Sequence, residues 1–262
     1  MEVGAVVGDR RAIARQFGPA RDAGIKLHSY VAMAFSLQRA ERLLQVNGEV
    51  VFPQADSIRA GKLLFNAMRR PELRGQLTPA VRTVARDPLP LVRSGWRYLV
   101  RRRPALDTSG TPFLEVGGEQ APNPASRVRL GDDRDALGVR RVVLDWRLTE
   151  QEVRTWRRMA ELAAGEFERL GLGSVDLDRF ALPDDPGELA GRVVDRGHHM
   201  GTARMADDPR EGVVDRDCRV HGLENLWIAS SAVFPTGGFS NPTFTIIALC
   251  LRLADRLKSV GA

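Results

Sequence analysis

The strongest periodicity in the chain lies between residues 149 and 170. Val153, Trp156, Ala160, Ala163, Phe167 and Leu170 recur at three- and four-residue spacings, which predicts one amphipathic helix. Thr149 and Glu152 stand three apart just ahead of the first apolar position, as in a capping box, and Gly171 is placed to end the helix. Upstream the period shortens. Phe113–Val116, Ser126–Leu130 and Val139–Trp146 predict strands of an antiparallel sheet, with Gly131-Asp132-Asp133 supplying turn chemistry. The helix is expected to seat its apolar stripe on that sheet.

On either side the pattern is weaker. Residues 26–52 mix β-branched residues with a short helical pattern, and residues 56–69 predict a helix through Ile58, Leu63, Leu64 and Met68. Residues 89–103 predict another, stopped by Pro104. The Gly/Pro/Asp-rich stretch 173–197 reads as a connector and places a domain boundary near 190. Leu226–Ala229 then suits a short buried strand. Ile246, Ile247, Leu249, Cys250, Leu253, Ala254 and Leu257 predict a final helix that starts at Asn241 as N-cap, takes Pro242 into its first turn and runs to Lys258.

Composition narrows the class. The 262 residues are 43% hydrophobic and 27% charged, as in a globular protein of one large or two small domains. The formal charge is +6, but only three of the 39 basic residues are lysines and the arginines are interspersed with acids, which argues against a nucleic-acid binder. The densest basic run, Arg101–Arg103 preceded by Arg93 and Arg97, reads as a solvated helix face, with a partner or membrane-surface patch as the alternative. Cys218 and Cys250 lack a second Cys or His at metal-ligand spacing, so neither a disulfide framework nor a metal site is expected. No stretch has the length and apolarity of a signal peptide or a bilayer span, and the expectation is a soluble, cytoplasmic protein.

Candidate chemistry gathers after residue 196. The pieces are Gly197-His198-His199-Met200-Gly201-Thr202, then Asp215 through Gly222, then Phe234-Pro235-Thr236-Gly237-Gly238 and Ser240-Asn241-Pro242-Thr243-Phe244-Thr245. An imidazole supplies a base near neutral pKa, the amino end of a helix favours negative charge, and paired glycines let backbone approach a flat ligand. His199, adjacent in extended backbone, is expected to point away from His198, while His28 and His221 read as ordinary satisfied histidines. On the residues alone this is an anion or cofactor site, or an ordinary capped helix.

The ordered set His-x-Met-Gly-Thr, Arg-Val-x-Gly-x-x-Asn-Leu-Trp and Phe-Pro-Thr-Gly-Gly-x-x-Asn-Pro-Thr-x-Thr resembles the carboxy-terminal signature of the glucose-methanol-choline (GMC) oxidoreductases. It is most similar to the sugar-oxidising branch that contains pyranose oxidase and gluconate dehydrogenase. The resemblance covers residues 197–257, with a looser similarity over 113–172 to the family's substrate domain. It implies an α/β (α+β) fold: a substrate domain of antiparallel sheet and helices over 1–189, and the carboxy-terminal part of a Rossmann-like FAD-binding domain over 190–262.

The implied cofactor is FAD and the implied substrate a sugar, glycoside or polyol. His198 would accept the substrate hydroxyl proton as hydride passes to the flavin, and Asn241 would orient that hydroxyl and stabilise charge on its oxygen. Thr243, Pro242, Ser230 and Ser231 would meet the cofactor, although Ser230 stands where the family has Asp or Gly. The family's Gly-x-Gly-x-x-Gly nucleotide unit is not found. The expected partner is therefore a second polypeptide, or a missing half, carrying that unit; a redox-inactive or assembly protein is the alternative.

Overall fold

The fold is taken from a computed structural model and is described for all residues except 23–24, 28, 68–69, 101–105, 108, 179–180, 195–196 and 261–262. His28, Met68 and Arg101–Arg103 lie outside the described residues.

The chain opens with β1 (Glu2–Val7), α1 (Arg10–Phe17), β2 (Ala20–Asp22), β3 (Ile25–Leu27), β4 (Tyr30–Ala32), α2 (Phe35–Ala40) and β5 (Val46–Val51). A helical segment follows: α3 (Asp56–Ala67), a 3-10 turn, α4 (Leu77–Arg86) and α5 (Leu89–Leu99). Then come β6 (Phe113–Gly118), β7 (Arg127–Arg134), β8 (Arg140–Asp145), α6 (Glu150–Arg169), β9 (Ser174–Asp176), α7 (Pro186–Ala190) and the terminal α8 (Thr243–Val260).

The main sheet has five strands in the order β4-β5-β6-β1-β9, every pair antiparallel. This regroups the strands expected from sequence. Of the three, only β6 enters the main sheet, between β5 and β1, whereas β7 and β8 pair with each other as a separate hairpin. Of the other strands, β4 and β5 come from the weakly patterned residues 26–52, β1 from the amino-terminal stretch before them, and β9 from the stretch that reads as a connector. Val3 through Val6 of β1 are buried in succession, so that strand shows no alternation to read.

Helix α6 lies on the sheet as its stripe requires. Val153, Trp156, Met159, Ala160, Ala163 and Phe167 are buried in one cluster with Val3, Val46, Leu114 and Val116. Two strand glycines let it come close: a Cβ at Gly48 would stand 3.0 Å from Met159 Cε, and one at Gly118 would stand 2.9 Å from the Trp156 indole nitrogen. The capping box is formed. Thr149 Oγ1 accepts from the Gln151 N–H at 3.2 Å and the Glu152 carboxylate accepts from the Thr149 N–H at 2.8 Å. Glu152 is fully buried and also accepts the Ala121 N–H at 2.8 Å, which ties the segment after β6 to the start of α6. Gly171, at φ +65°, ends the helix, with the Leu172 N–H returning to the Phe167 carbonyl at 3.0 Å.

A second, smaller cluster unites Val214, Cys218, Val233 and Leu253, flanked by Met205, Trp227 and Leu249. It draws only on residues beyond 204, where regular structure is sparse. The expected strand at Leu226–Ala229 is a single bridge between Arg219 and Trp227. Helix α8 begins at Thr243 rather than with Pro242 after an Asn241 N-cap: the first helical bond, from the Ile246 N–H, ends on the Pro242 carbonyl at 2.9 Å, so Pro242 precedes the first turn. Among the described residues no helix is long and apolar enough to cross a membrane.

Candidate active site

The site is assembled from three segments that secondary structure alone would leave apart. The first, Gly197–Met205, runs beside the second, Ser230–Phe234, as an irregular ladder. The Gly201 N–H donates to the Ser231 carbonyl (3.2 Å), the Ala203 N–H to the Ala232 carbonyl (2.9 Å) and the Met205 N–H to the Val233 carbonyl (2.8 Å). Ser231 Oγ closes its upper end by donating to the His199 carbonyl at 2.8 Å. Gly197 and Gly201 both adopt φ near +75°, at +73° and +78°, a conformation that a side-chain-bearing residue would enter only with strain. These two turns bracket His198 and His199.

The loop 215–222 supports the ladder from below. Val214 bridges to both Met205 and Val220. Asp215 accepts from the Asp217 N–H (2.9 Å) and the Arg219 N–H (3.0 Å). Burial alone would raise its pKa, but those N–H donors and the Arg219 guanidinium hold the carboxyl below its ordinary value. His221 Nε2 lies 3.0 Å from the Ala206 carbonyl, the satisfied histidine expected of it.

The third segment is the loop from Phe234 to Asn241. Gly237 packs beside Met200, 3.4 Å from a would-be Cβ to Met200 Cε, which brings the loop to within two residues of His198. The same loop also meets the main sheet. A Cβ at Gly237 would be 3.5 Å from Glu119 Cβ, and one at Gly238 would be 3.2 Å from Gln45 Oε1. Gln45 and Glu119 follow one another across the ends of β5 and β6, joined by the Glu119 N–H donating to the Gln45 carbonyl at 2.9 Å. Burial raises the Glu119 carboxyl above its usual value, with partial relief from a Gln45 backbone hydrogen bond.

His198, Asn241 and Thr243 are exposed, and Pro242 is buried. Among the described residues neither the His198 nor the Asn241 side chain has a hydrogen-bond partner, so no hydrogen bond joins the two. Asn241 is free of the capping role, which leaves its amide available. Ser230 caps the 3-10 turn, its Oγ accepting the Ala232 N–H at 3.1 Å, and Ser231 is committed to His199. These bonds hold both hydroxyls in place, while the Ser230 O–H can still donate and the Ser231 oxygen can still accept. Ahead of the first helical bond of α8, the N–H groups of Thr243, Phe244 and Thr245 carry the positive end of its dipole. Gln45 and Glu119 are the residues that sequence reasoning missed: they are more than 70 residues upstream of His198, and no local pattern marks a residue at a strand end as facing a distant loop. Among the described residues no cluster of His, Cys, Asp or Glu could hold a metal ion.

Comparison with known proteins gives a match to the GMC oxidoreductase family over residues 122–250. The chain is 32% identical over 133 residues to paromamine 6'-oxidase of Streptomyces fradiae, covering 51% of this chain and 23% of that protein. It is 27% identical over 159 residues to the fructose dehydrogenase large subunit of Gluconobacter japonicus, covering 60% and 26%. It is 32% identical over 173 residues to a C-glycoside 3-oxidase of Arthrobacter globiformis, covering 58% and 30%. The matched region thus spans between 23% and 30% of the length of these relatives.

Proposed function

We propose that this chain, whose residues 122–250 are a GMC oxidoreductase domain, is the catalytic carboxy-terminal part of an FAD-dependent enzyme that oxidises a CH–OH group of a sugar, glycoside or polyol. The observation that carries the reading is the backbone ladder between Gly201–Met205 and Ser231–Val233. It holds the His198 segment beside the glycine loop that leads through Asn241 into α8.

In this reading His198 is the proton acceptor for the substrate hydroxyl, an exposed imidazole fixed between two glycine turns. Asn241 donates an amide N–H to the same oxygen and stabilises the charge that develops there. Gln45 and Glu119 form a polar wall on the sheet side of the loop, suited to the other hydroxyls of a sugar or polyol. Residues 1–189 would then serve as substrate domain and 190–262 as the cofactor side.

The residues present fit a flavin. The open N–H groups at Thr243 suit its electron-rich edge, and Gly237 and Gly238 let the loop that leads there pack against Met200, Glu119 and Gln45. Pro242 and the backbones of Ser230 and Ser231 complete that side. When bound, the flavin takes up the two electrons and the hydrogen that leave the carbinol carbon.

A nucleotide-binding portion, on a second polypeptide or elsewhere in the same protein, would complete the cofactor site. Phe244, Ile247 and Leu251 of α8 are 85%, 54% and 63% exposed at i, i+3 and i+7 spacing, an apolar stripe that such a portion would cover. The test is to express the chain with that portion and follow flavin absorbance while pyranoses, glycosides and polyols are added. The expected result is bound flavin, bleached by at least one of these substrates, with His198→Ala retaining flavin and losing the bleaching. A preparation that binds no flavin with its partner present would end the reading.

A further inference from the structure

The positive charge of the protein is concentrated in one place. Residues 82–103 hold seven arginines against one acid, Asp87, a surplus of six, and the whole chain carries +6. All other residues together are neutral. Helix α5 occupies the middle of this segment.

One side of α5 faces the protein. Ser94 is buried, and Leu91 packs on Gly61 of α3, where a Cβ would come within 2.6 Å of Leu91 Cδ1. The opposite side is largely exposed. Leu89, Val92, Trp96, Leu99 and Val100 are exposed by 51%, 63%, 61%, 70% and 54%. At 3.6 residues per turn these five fall within an arc of about 100°, and Arg93 and Arg97 fall along one margin of it. The run Arg101–Arg103 continues the segment in sequence.

We propose that this face of α5 docks on an anionic lipid surface. The chemistry is that of a helix lying in the plane of a membrane interface: aliphatic side chains and a tryptophan enter the acyl boundary, and arginines at the margin meet headgroup phosphates. Charge complementarity selects the occupant. A protein partner would have to offer a dense acidic patch around an apolar groove, whereas an anionic bilayer offers both along its whole surface. The inference is independent of the flavin reading, because none of these residues touches the site around His198.

The test is sedimentation of the full chain with vesicles of phosphatidylcholine alone and of an equal mixture with phosphatidylglycerol. Partitioning is expected to be stronger on the anionic vesicles by about tenfold or more, to weaken with salt, and to shift tryptophan emission to the blue. The shift should vanish in Trp96→Phe. The double variant Val92→Glu, Leu99→Glu, on exposed positions, should lose the binding with an unchanged circular dichroism spectrum, and Ile247→Glu on the α8 stripe should keep it. Equal binding to both vesicle types, retention by the double variant, or equal loss in Ile247→Glu overturns the proposal. A dimer that the double variant abolishes, with no vesicle binding, would assign the face to a second copy and likewise overturn it.

Discussion

Helices α6 and α8 are of similar length and both amphipathic, yet they end in opposite situations. In α6, eight residues are buried, from Glu152 to Phe167, against a five-stranded sheet. Among the described residues of α8 only Leu253 falls within the buried core, and the stripe from Phe244 to Leu251 faces outward. The first helix finds its apolar partner within this chain. The second offers the chain's own small core one side and leaves the other exposed. Stability and proposed chemistry are thereby separated: the body around α6 holds the fold, while the residues read as catalytic sit beside the incompletely covered helix.

That separation can be broken at several points. The largest effect is expected at His198. In the flavin-loaded assembly His198→Ala should lower kcat by about 10²–10⁴-fold while leaving the denaturation midpoint in place, since the side chain is exposed and unbonded. An equal loss of both would make His198 a structural residue. Next comes the converse. Phe167 is 1% exposed and stacks on Phe17 at 5.2 Å, so Phe167→Ala should cost about 3–5 kcal/mol in urea unfolding. Phe244→Ala, on α8, should change the stability of the isolated chain by no more than about 0.5 kcal/mol. Comparable costs at the two positions would erase the contrast.

The smallest expected effects separate two carboxyls. The folded pKa of Asp215 is depressed, so its stabilisation is present above the unfolded value and is lost as pH falls through the folded one. The folded pKa of Glu119 is raised, so it stabilises most below its unfolded value and loses that contribution as pH rises through the folded one. Asp215→Asn should therefore flatten the acid side of the stability profile. Glu119→Gln should leave neutral stability no lower than wild type, while raising KM for polyhydroxy substrates in the assembled enzyme. Parallel profiles for the two variants would show that the loop and the end of β6 do not differ in this way.

Legibility followed locality. Helix α6 could be read to its ends because its signals lie within a few residues of each other: Thr149 with Glu152, the stripe, then Gly171. The start of α8 was misplaced by one residue, since Asn-Pro suits an N-cap followed by a first turn and only the Ile246 to Pro242 bond decides between registers. Strand β1 was missed because its burial is continuous, and β7 and β8 were read as strands but assigned to the wrong sheet. Pairing depends on contacts that the period of a strand does not encode. At the candidate site, His198, Asn241 and the glycine loop were visible as ordered motifs. Gln45 and Glu119 were not, because they reach the loop only through the way the sheet and the carboxy-terminal segment pack.

The amino-acid order by itself determined the long helices, the capping at Thr149, the glycine turns around His198 and the motifs that tie the chain to its family. These are local events, set by backbone sterics, hydrogen-bond geometry and side-chain periodicity over a few residues. Only the tertiary structure decided that β6 lies between β5 and β1, that Ser231 is committed to the His199 carbonyl, that the strand ends carrying Gln45 and Glu119 meet the glycine loop, and that the apolar faces of α5 and α8 stay open. Those outcomes depend on which surfaces compete for burial across the whole molecule, and a sequence states its apolar stripes without stating what will cover them.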